Sequence, residues 1–321
     1  MKAIVYKKYG SPDILELKEM EKPTPNDDEV LIKIYAASVN PLDWHFMRGT
    51  PFFLRIMTGL FKPKITRLGR DIAGKVESVG GGVTRFKQGD EVFGSCTGAF
   101  AEYVCSSELK LVLKPDNVSF EQAACVNVAA LTALQGLRDK GQIKSGQKVL
   151  INGAAGGVGT FAVQIAKVFN TEVTAVCSKN KIDMVRSIGA DHVIDYTKED
   201  FTETGQHYDI FLDCFANRSL FACKRVLKPE GIYIPIGGPG NSLIGILISS
   251  ITAMVLSWFV SQKFTNFLTK INKEDLTFMG ELLASDKVNS VIGKRYSLSE
   301  VPEAIRYIEE GHAKGKVVII M

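Results

Sequence analysis

The chain has 321 residues, of which 45% are hydrophobic and 23% charged, a balance typical of a globular protein with a large core. Its formal net charge of +4 is too small to indicate nucleic-acid binding, and the sequence has no Lys/Arg run of that type. The N-terminal sequence MKAIVYKKYG has charges where a signal peptide needs an apolar run. We therefore expect a cytoplasmic protein that binds no nucleic acid.

The cysteines are scattered and include no C-x-x-C pair. There are six of them: Cys96, Cys105, Cys125, Cys177, Cys214 and Cys223. This pattern indicates free thiols in a reducing compartment, and it favours neither a disulfide framework nor a zinc knuckle.

The first third of the sequence reads as short strands separated by turns. The runs KAIVYKKYG, EVLIKIYAASVN, IAGKVESVG and DEVFGSC are rich in β-forming residues, and they are broken by KPTPNDD and GGGVTRFKQGD. This spacing predicts a small, partly open β barrel.

The pattern changes at Ser119, where a helix-capping residue precedes acids and apolar residues at helical spacing. From there apolar strands alternate with helices, which predicts βαβ units and a parallel sheet. We predict an α/β fold with a β-rich domain over residues 1–122 and 271–321. A doubly wound parallel sheet of the Rossmann type, over residues 123–270, forms the other domain.

The segment KVLINGAAGGVGTFAVQIAK predicts a strand that ends near Ile151, a glycine-rich turn and a helix that begins near Gly157. In such a turn, glycines allow a pyrophosphate to approach and the helix to pack on the strand, while the exposed N–H groups face the anion. A tight turn without a ligand is the alternative, which the surrounding βα units disfavour. The predicted contacts are Ala155, Gly156, Gly157, Val158 and Gly159.

The tip of the following strand reads VCSKNK, with Ser178 and Lys179 where an NAD-selective site places an acid. A hydroxyl and a cation suit a 2′-phosphate, which a carboxylate would repel. We therefore predict NADPH as the cofactor, with a solvated loop as the alternative. Gly237 and Gly238 follow a later strand, at the edge where ligands of open α/β sheets bind.

Eight segments carry a resemblance to a known family. They are ASVNPLDW, GRDIAGKVESVG, GDEVFG, GAFAEYV, AACVNVAALTALQGL, NGAAGGVGTFAVQIAK, GADHVIDY and EEGHAKGKVVII. Over nearly its full length the chain resembles the zinc-free quinone oxidoreductases and enone reductases of the medium-chain dehydrogenase/reductase superfamily. The resemblance implies a GroES-like catalytic domain, a Rossmann domain, an active site in the cleft between them, and a homodimer.

The zinc-binding relatives place a Cys and a His–Glu pair in the first domain. Here these positions fall in SVNPLDW and at Gly69-Arg70-Asp71, so the thiolate and imidazole that zinc needs are missing. We expect no metal. Reduction of a small, lipophilic, already electrophilic substrate needs hydride from the nicotinamide and hydrogen-bond donors for the developing anion.

The resemblance also implies site residues. Asn40 matches the family residue at the cleft, where its amide would bind the substrate oxygen, and His45 would donate or relay a proton. A hydrogen-bonded residue at a strand end is the alternative for His45, and we expect Asp43 to cap a turn. For the cofactor, the resemblance implies Tyr196 at the adenosine end and, from the C-terminal segment, His312, Lys314 and Lys316, with a solvated turn as the alternative for the last three.

Two apolar segments remain. Leu243–Val260 carries no charge, but a membrane span there would interrupt the predicted sheet, so we expect a buried or interfacial helix from Leu243 to Lys263. The segment from Trp44 to Arg70 is apolar and basic without an acid. Together they suggest a mouth for lipophilic substrates that touches an anionic membrane surface, with ordinary packing as the alternative.

The leading functional hypothesis is therefore an NADPH-dependent reductase of quinones or α,β-unsaturated carbonyls. A catalytically weak NADPH-binding protein with a regulatory or structural role is the alternative, because the proton donor is not identified and fold alone does not fix function. A metal-free enzyme acting on a thioester is a third reading.

Overall fold

The computed structural model describes residues 1–236, 261–311 and 313–321. These residues form two compact units, one of residues 1–131 and 270–321 and the other of residues 132–269. We call the first the β-rich unit and the second the parallel-sheet unit. The predicted α/β fold class is confirmed.

The β-rich unit contains two sheets. Strands β1 (Lys2–Val5) and β2 (Glu16–Glu19) form an antiparallel pair. The larger sheet has the order β14-β15-β3-β4-β5-β7, with β6 also paired to β3. Its strands are β3 (Glu29–Val39), β4 (Asp71–Val79), β5 (Glu91–Ser95), β6 (Tyr103–Ser107), β7 (Leu111–Leu113), β14 (Ile292–Ser297) and β15 (Lys316–Ile320).

Strand β3 organises this sheet, because it pairs with β4, β6 and β15. Its sequence EVLIKIYAASV places Val30, Ile32 and Ile34 in the main core of the unit. The last strand, β15, pairs antiparallel with β3. The end of β3 therefore lies beside the beginning of β15, with Val39 opposite Val317.

The β-rich unit also contains helices, the fourth of which continues into the parallel-sheet unit. They are α1 (Pro41–Arg48), α2 (Phe53–Thr58), α3 (Phe120–Ala124), α4 (Asn127–Gln135), α8 (Lys273–Ala284) and α9 (Val301–Glu309). The predicted helix start at Ser119 is confirmed, because the Ser119 side chain accepts a hydrogen bond from the Gln122 N–H in a capping box. Helix α4 contains the point, after Leu131, at which the chain passes from one unit to the other.

The parallel-sheet unit has six described strands in the order β10-β9-β8-β11-β12-β13, all parallel. They are β8 (Lys148–Asn152), β9 (Glu172–Cys177), β10 (His192–Asp195), β11 (Tyr208–Asp213), β12 (Leu227–Pro235) and β13 (Lys263–Phe264). Helices α5 (Gly157–Val168), α6 (Ile182–Ser187) and α7 (Leu220–Arg225) connect them. This is the strand order of the Rossmann fold, 3-2-1-4-5-6.

The uncharged stretch Leu243–Val260 lies outside the described residues. The sequence predicts a helix that continues to Lys263. This end of the helix is wrong, because Lys263 begins β13 and pairs with Ile232 of β12. Within the described ranges, none of the helices has the length and apolar character that crossing a membrane requires.

All six cysteines are free thiols. Burial raises the pKa of Cys105 and of Cys177 to about 11, and that of Cys125 and of Cys223 to about 12. The pKa values of Cys96 and Cys214 are raised further by the same cause. The thiols therefore keep their protons at neutral pH.

Candidate functional site

The glycine-rich turn joins β8 to α5 as the sequence predicts. Gly156 is the N-cap residue of α5, with extended backbone, and it provides no side-chain cap for the helix. The first N–H groups of a helix have no partner within the helix, so this 12-residue helix presents uncapped donors and the positive end of its dipole. Such an end is an anion-binding site.

Gly159 is required by the packing of the helix on the strand, whereas Gly156 is not. A Cβ on Gly159 would lie 2.2 Å from the Gly153 carbonyl oxygen and 2.7 Å from Ala154 Cα, so the contact between helix and strand itself demands glycine there. A Cβ on Gly156 would meet only the Gly153 oxygen, at an ordinary 3.4 Å. The fold therefore does not need glycine at 156, whereas close approach of a ligand would.

The turn lies beside the point at which the strand order reverses, between β8 and β11. There the Asn152 amide donates to Asp213 Oδ1 at 2.8 Å, which ties together the carboxyl ends of the two strands. The backbone N–H groups of Phe215 and Ala216 also donate to this carboxylate, at 3.1 and 2.7 Å. Ligands of open α/β sheets bind at such a switch point.

The tip of β9 brings together three of the predicted residues. Ser178 follows the strand directly and donates its hydroxyl to Asn180 Oδ1 at 2.8 Å, while Lys179 is exposed. The Tyr196 N–H donates to the Cys177 carbonyl at 3.2 Å, and 47% of the Tyr196 residue surface is exposed. A hydroxyl and a cation thus follow β9 directly, and the backbone of a partly exposed tyrosine is bonded to the last residue of the strand.

Asp195 ends the neighbouring strand β10 in register with Cys177. Its Oδ1 accepts hydrogen bonds from the hydroxyl and the N–H of Thr197, at 2.7 and 3.1 Å, and these bonds lower the pKa of the carboxyl group. Its other oxygen, Oδ2, is buried and has no hydrogen-bond partner among the described residues. The positive charge of Lys179 also lowers the pKa of this carboxyl group, so a carboxylate and the Lys179 cation interact at this end of the sheet.

These observations fit a dinucleotide with a 2′-phosphate. Uncapped N–H groups and an open glycine suit the pyrophosphate, and the hydroxyl and ammonium at the β9 tip suit the extra phosphate. Of the other predicted contacts, Ala155 is buried and Val158 half-buried, and Lys314 is exposed in the β-rich unit. Gly237, Gly238 and His312 lie outside the described residues.

The β-rich unit holds a second polar cluster, which is buried. Asp71, at the start of β4, is fully buried, and both of its carboxylate oxygens accept hydrogen bonds. Oδ1 accepts from Asn127 Nδ2 at 2.9 Å and the Val128 N–H at 3.2 Å, and Oδ2 accepts from Ser38 Oγ and Asn40 Nδ2, each at 2.8 Å. We call the set of Ser38, Asn40, Asp43, Asp71, Asn127 and Lys316 the Asp71 network.

Lys316 supplies the positive charge of the Asp71 network. It is only 2% exposed, and its ammonium reaches Asn40 Oδ1 at 2.7 Å, the Val39 carbonyl at 3.3 Å and Asp71 Oδ2 at 3.5 Å. The sequence predicted this lysine as a cofactor contact. The structure directs its ammonium to three acceptors inside the β-rich unit, so contact with a cofactor would require it to leave them.

Asn40 is the N-cap of α1 and is 2% exposed. Its Oδ1 accepts from Lys316, and its Nδ2 donates to Asp71 at 2.8 Å and, more weakly, to the Ser38 carbonyl at 3.5 Å. Its predicted role at the substrate oxygen stays a prediction, and the N–H that faces Ser38 is the amide donor least committed to the protein.

Asp43 completes the capping box of α1. Its Oδ2 accepts from the Asn40 N–H at 2.8 Å, and its Oδ1 accepts from the Gly69 N–H at 3.0 Å. Burial, and then the nearby Asp71 charge, raise the pKa of the Asp43 carboxyl to about 7. The expected capping role is what the structure shows for this residue.

His45 lies in α1, half-buried, with its ring stacked on Trp44 at 3.6 Å between centroids. Its Nδ1 is 2.7 Å from the Thr50 carbonyl oxygen, so Nδ1 carries the hydrogen and Nε2 is an acceptor when the ring is neutral. Burial lowers the pKa of His45. Proton donation by His45, which stays a prediction, would therefore start from a form that burial disfavours.

Sequence reasoning missed Ser38, Asp71 and Asn127 as members of a buried cluster. No local pattern marks these three residues. The sequence did contain a signal for the start of α1, the pattern N-P-x-D, in which Asn40, Pro41 and Asp43 are the N-cap, the first residue and the third residue of the helix. Among the described residues, no three His, Cys, Asp or Glu side chains lie together in a way that could hold a metal ion.

A Rossmann sheet with an uncapped glycine turn, together with a GroES-like β unit, defines a dinucleotide-dependent oxidoreductase. Two family models match the chain. Residues 26–116 match the alcohol dehydrogenase GroES-like domain, and residues 188–319 match a model described as zinc-binding dehydrogenase.

Individual proteins agree. The chain is 36% identical to a chloroplastic quinone-oxidoreductase of Triphysaria versicolor, covering 99% of this chain and 98% of that protein. It is 34% identical to the chloroplastic NADPH-dependent alkenal/one oxidoreductase of Arabidopsis thaliana, over 99% and 79%. The structure of the quinone oxidoreductase from Coxiella burnetii superimposes with a TM-score of 0.87 at 30% identity, over 100% and 99% of the two chains. The chain belongs to the medium-chain dehydrogenase/reductase superfamily and, within it, to the group of the quinone and alkenal/one oxidoreductases.

Proposed function

We propose that this protein is an NADPH-dependent reductase that transfers hydride to quinones or to α,β-unsaturated carbonyl compounds of lipophilic character. The observation that carries the proposal is the glycine turn at the switch point with Ser178 and Lys179 at the neighbouring strand tip. The names of the relatives support the same activity and the same cofactor.

The residues of the chain would divide the work of binding. The N–H groups of Gly157 and Val158, at the uncapped start of α5, bind the pyrophosphate. The Ser178 hydroxyl and the Lys179 ammonium bind the 2′-phosphate, and the Tyr196 ring covers the adenosine end. When bound, NADPH supplies the hydride.

The β-rich unit would position the substrate. The Asp71 network fixes Asn40, the N-cap of α1, against β4 and β15, so its amide has one defined orientation. We propose that the Asn40 N–H that bonds only weakly to the Ser38 carbonyl donates to the substrate oxygen, on which negative charge develops. His45, neutral at pH 7, offers an acceptor at Nε2, so the proton that completes reduction would come from solvent unless the ring is first protonated.

The cofactor assignment has a direct test. Ser178→Asp places a carboxylate where the 2′-phosphate binds, so kcat/KM with NADPH should fall relative to NADH by about a hundredfold, the loss expected from an added like charge at a phosphate site. Initial rates with a small enone and with a quinone measure it. Ser187→Asp, which adds the same charge at an exposed serine of α6, should leave the ratio unchanged.

An unchanged ratio in Ser178→Asp would remove the assignment of Ser178. Calorimetry separates the reductase from the regulatory alternative. A chain that binds NADPH with a measurable heat but turns over neither substrate is an NADPH-binding protein without reductase activity. A chain that shows no heat with NADPH or NADH is neither a reductase nor an NADPH-binding protein.

Zinc independence is part of the proposal. It rests on the residues at the positions of the zinc ligands, where Arg70 is a cation and both oxygens of Asp71 already accept hydrogen bonds. A chelator should leave turnover unchanged, while loss of activity that added zinc restores would refute this part.

We also propose a cytoplasmic homodimer. Free, protonated thiols suit a reducing compartment. Strand β13 has only β12 beside it in the described part of the sheet, so its outer edge is available to pair with a second copy. Sedimentation velocity should show twice the monomer mass, and fractionation of cells that express the chain should place it in the cytoplasm. A monomer at all concentrations would overturn the dimer.

A further inference from the structure

The segment that contains α2 presents an apolar surface outward. Four of its side chains are exposed although they are large and apolar: Phe52 at 55%, Ile56 at 72%, Leu60 at 45% and Phe61 at 90%. Phe52, the N-cap of α2, and Ile56 are four residues apart and so share one side of the helix. We call these four residues, with the exposed Lys62 and Lys64 that follow, the α2 face.

The backbone beneath the α2 face is held in place. Tyr9 donates its hydroxyl hydrogen to the Gly59 carbonyl at 2.6 Å, and its oxygen is 2.8 Å from Thr58 Oγ1. The Arg55 guanidinium donates to the Gly49 carbonyl at 3.0 Å and lies over the Tyr9 ring at 4.6 Å. Because Thr58 and the neighbouring Pro63 are buried, the apolar side chains point outward from an anchored loop.

The segment that carries the α2 face has charges of one sign. Residues 44–70 contain six Arg and Lys residues and no Asp or Glu. Arg48 is paired with Glu309, with 2.8 Å between Arg48 Nη2 and Glu309 Oε2. Over the ranges that the structure describes, no carboxylate forms an ion pair with Lys62 or Lys64, so their charges are available to an outside partner.

From this combination we propose that the α2 face docks the protein peripherally on an anionic lipid bilayer. Exposed Phe, Ile and Leu side chains insert at the boundary between headgroups and acyl chains, and adjacent lysines bind anionic headgroups. A second copy of the chain is a poorer occupant, because a twofold contact through this face would oppose Lys62 and Lys64 to the same lysines. Docking would place the enzyme at the phase in which lipophilic substrates dissolve, but it does not depend on the reductase activity.

The experiment is sedimentation of the full chain with vesicles. Phosphatidylcholine vesicles that contain phosphatidylglycerol should bind the protein, phosphatidylcholine alone should bind it much less, and high salt should release it. Ile56→Gln with Phe61→Gln should reduce the partition coefficient about tenfold or more, and so should Lys62→Gln with Lys64→Gln.

Matched controls use residues of the same kind elsewhere. Phe221→Gln replaces an aromatic residue that is 63% exposed on α7. Lys273→Gln with Lys287→Gln removes two exposed lysines, one at the start of α8 and one just after its end. Both controls should bind vesicles as the wild-type chain does. Because all the substituted side chains are exposed, thermal unfolding midpoints should stay together and show that the variants fold.

Three outcomes would overturn the proposal. They are no binding to anionic vesicles, equal binding by the wild-type chain and both α2-face variants, and binding by the neutral vesicles alone. Sedimentation velocity supplies a fourth: if a dimer falls apart in Ile56→Gln with Phe61→Gln while no variant binds vesicles, the face is a contact between copies of the chain.

Discussion

The carboxyl edge of the parallel sheet and the Asp71 network both gather polar groups, yet they leave those groups in opposite states. At the sheet edge, α5 begins without a side-chain cap, and Lys179 is exposed. In the network, the Asp71 carboxylate accepts from four donors within 3.2 Å, and Lys316 has three acceptors. Groups left open suit a ligand that arrives later, whereas groups already paired hold the fold.

The contrast has one informative exception within the network. Asn127 donates to Asp71 but its Oδ1, although buried, has no hydrogen-bond partner in the part of the chain that the structure describes. An amide oxygen without a donor costs free energy comparable to a lost hydrogen bond. Asn127 is therefore the one member of the Asp71 network whose pairing is incomplete among the described residues.

The largest expected effect comes from breaking the buried charge pair. Lys316→Met should lower the free energy of unfolding by about 3–5 kcal/mol, because it leaves the Asp71 charge buried without its cation. Urea denaturation measures it. Lys314→Met, two residues earlier but exposed, should change the free energy by less than about 0.5 kcal/mol.

A double variant sharpens this test. Adding Asp71→Asn to Lys316→Met removes both charges and keeps an amide oxygen that can accept from Asn127 and Val128, so it should recover part of the loss. If Lys316→Met were as stable as the wild-type chain, Lys316 would belong with the open groups that await a ligand.

The next effect is a dependence on pH. The pKa of Asp43 is raised from 3.8 to about 7 in the folded chain, so ionisation of this carboxyl costs more in the folded state than in the unfolded state. The contribution of Asp43 to stability is therefore greatest when it is protonated, near pH 4, and is lost as the pH rises towards 7. Relative to Asp43→Asn, the wild-type chain should lose on the order of 2–4 kcal/mol between pH 4 and 8.

Urea midpoints for the two proteins at several pH values give this difference directly. Any constant cost of the amide, which cannot accept from both the Asn40 and the Gly69 N–H groups as the carboxylate does, cancels in the slope. A difference that does not change with pH would mean that Asp43 is ionised over the whole range.

The smallest effects on stability separate the two glycines of the turn. Gly159→Ala should cost about 1–3 kcal/mol, because its Cβ would overlap the Gly153 carbonyl. Gly156→Ala should change stability by less than about 0.5 kcal/mol and yet weaken NADPH binding about tenfold or more, since its methyl group would occupy the approach of the pyrophosphate. Calorimetry measures NADPH binding and urea denaturation measures stability. If the two variants lost the same stability and the same affinity for NADPH, the two glycines would not have separate roles.

Local patterns predicted much of this structure. The period of the strands, the cap at Ser119 and the glycine turn before α5 all act over a few neighbouring residues, so they can be read along the chain. Helix α1 was missed because ASVN continues the β pattern of β3 up to Pro41, although the N-cap signal of Asn40 was present.

The Asp71 network was not predictable in the same way. Its members come from positions 38 to 316, and only the pairing of β15 and β4 with β3 brings them together. Lys316 was grouped with the exposed Lys314 because both lie in GHAKGK, which resembles the C-terminal segment of the family. In the structure Lys316 is the first residue of β15, whose first four residues are buried. The passage between units inside α4 leaves no change of composition to mark it.

The burial of the thiols has a consequence for a protein that handles electrophilic alkenes. Such alkenes alkylate cysteine through the thiolate, and the thiol form reacts poorly. With pKa values of about 11 for Cys105 and Cys177 and about 12 for Cys125 and Cys223, only a minute fraction of each is ionised at neutral pH. Burial, which is complete for four of the six thiols and partial for Cys105 and Cys214, thus leaves little thiolate for such substrates to alkylate.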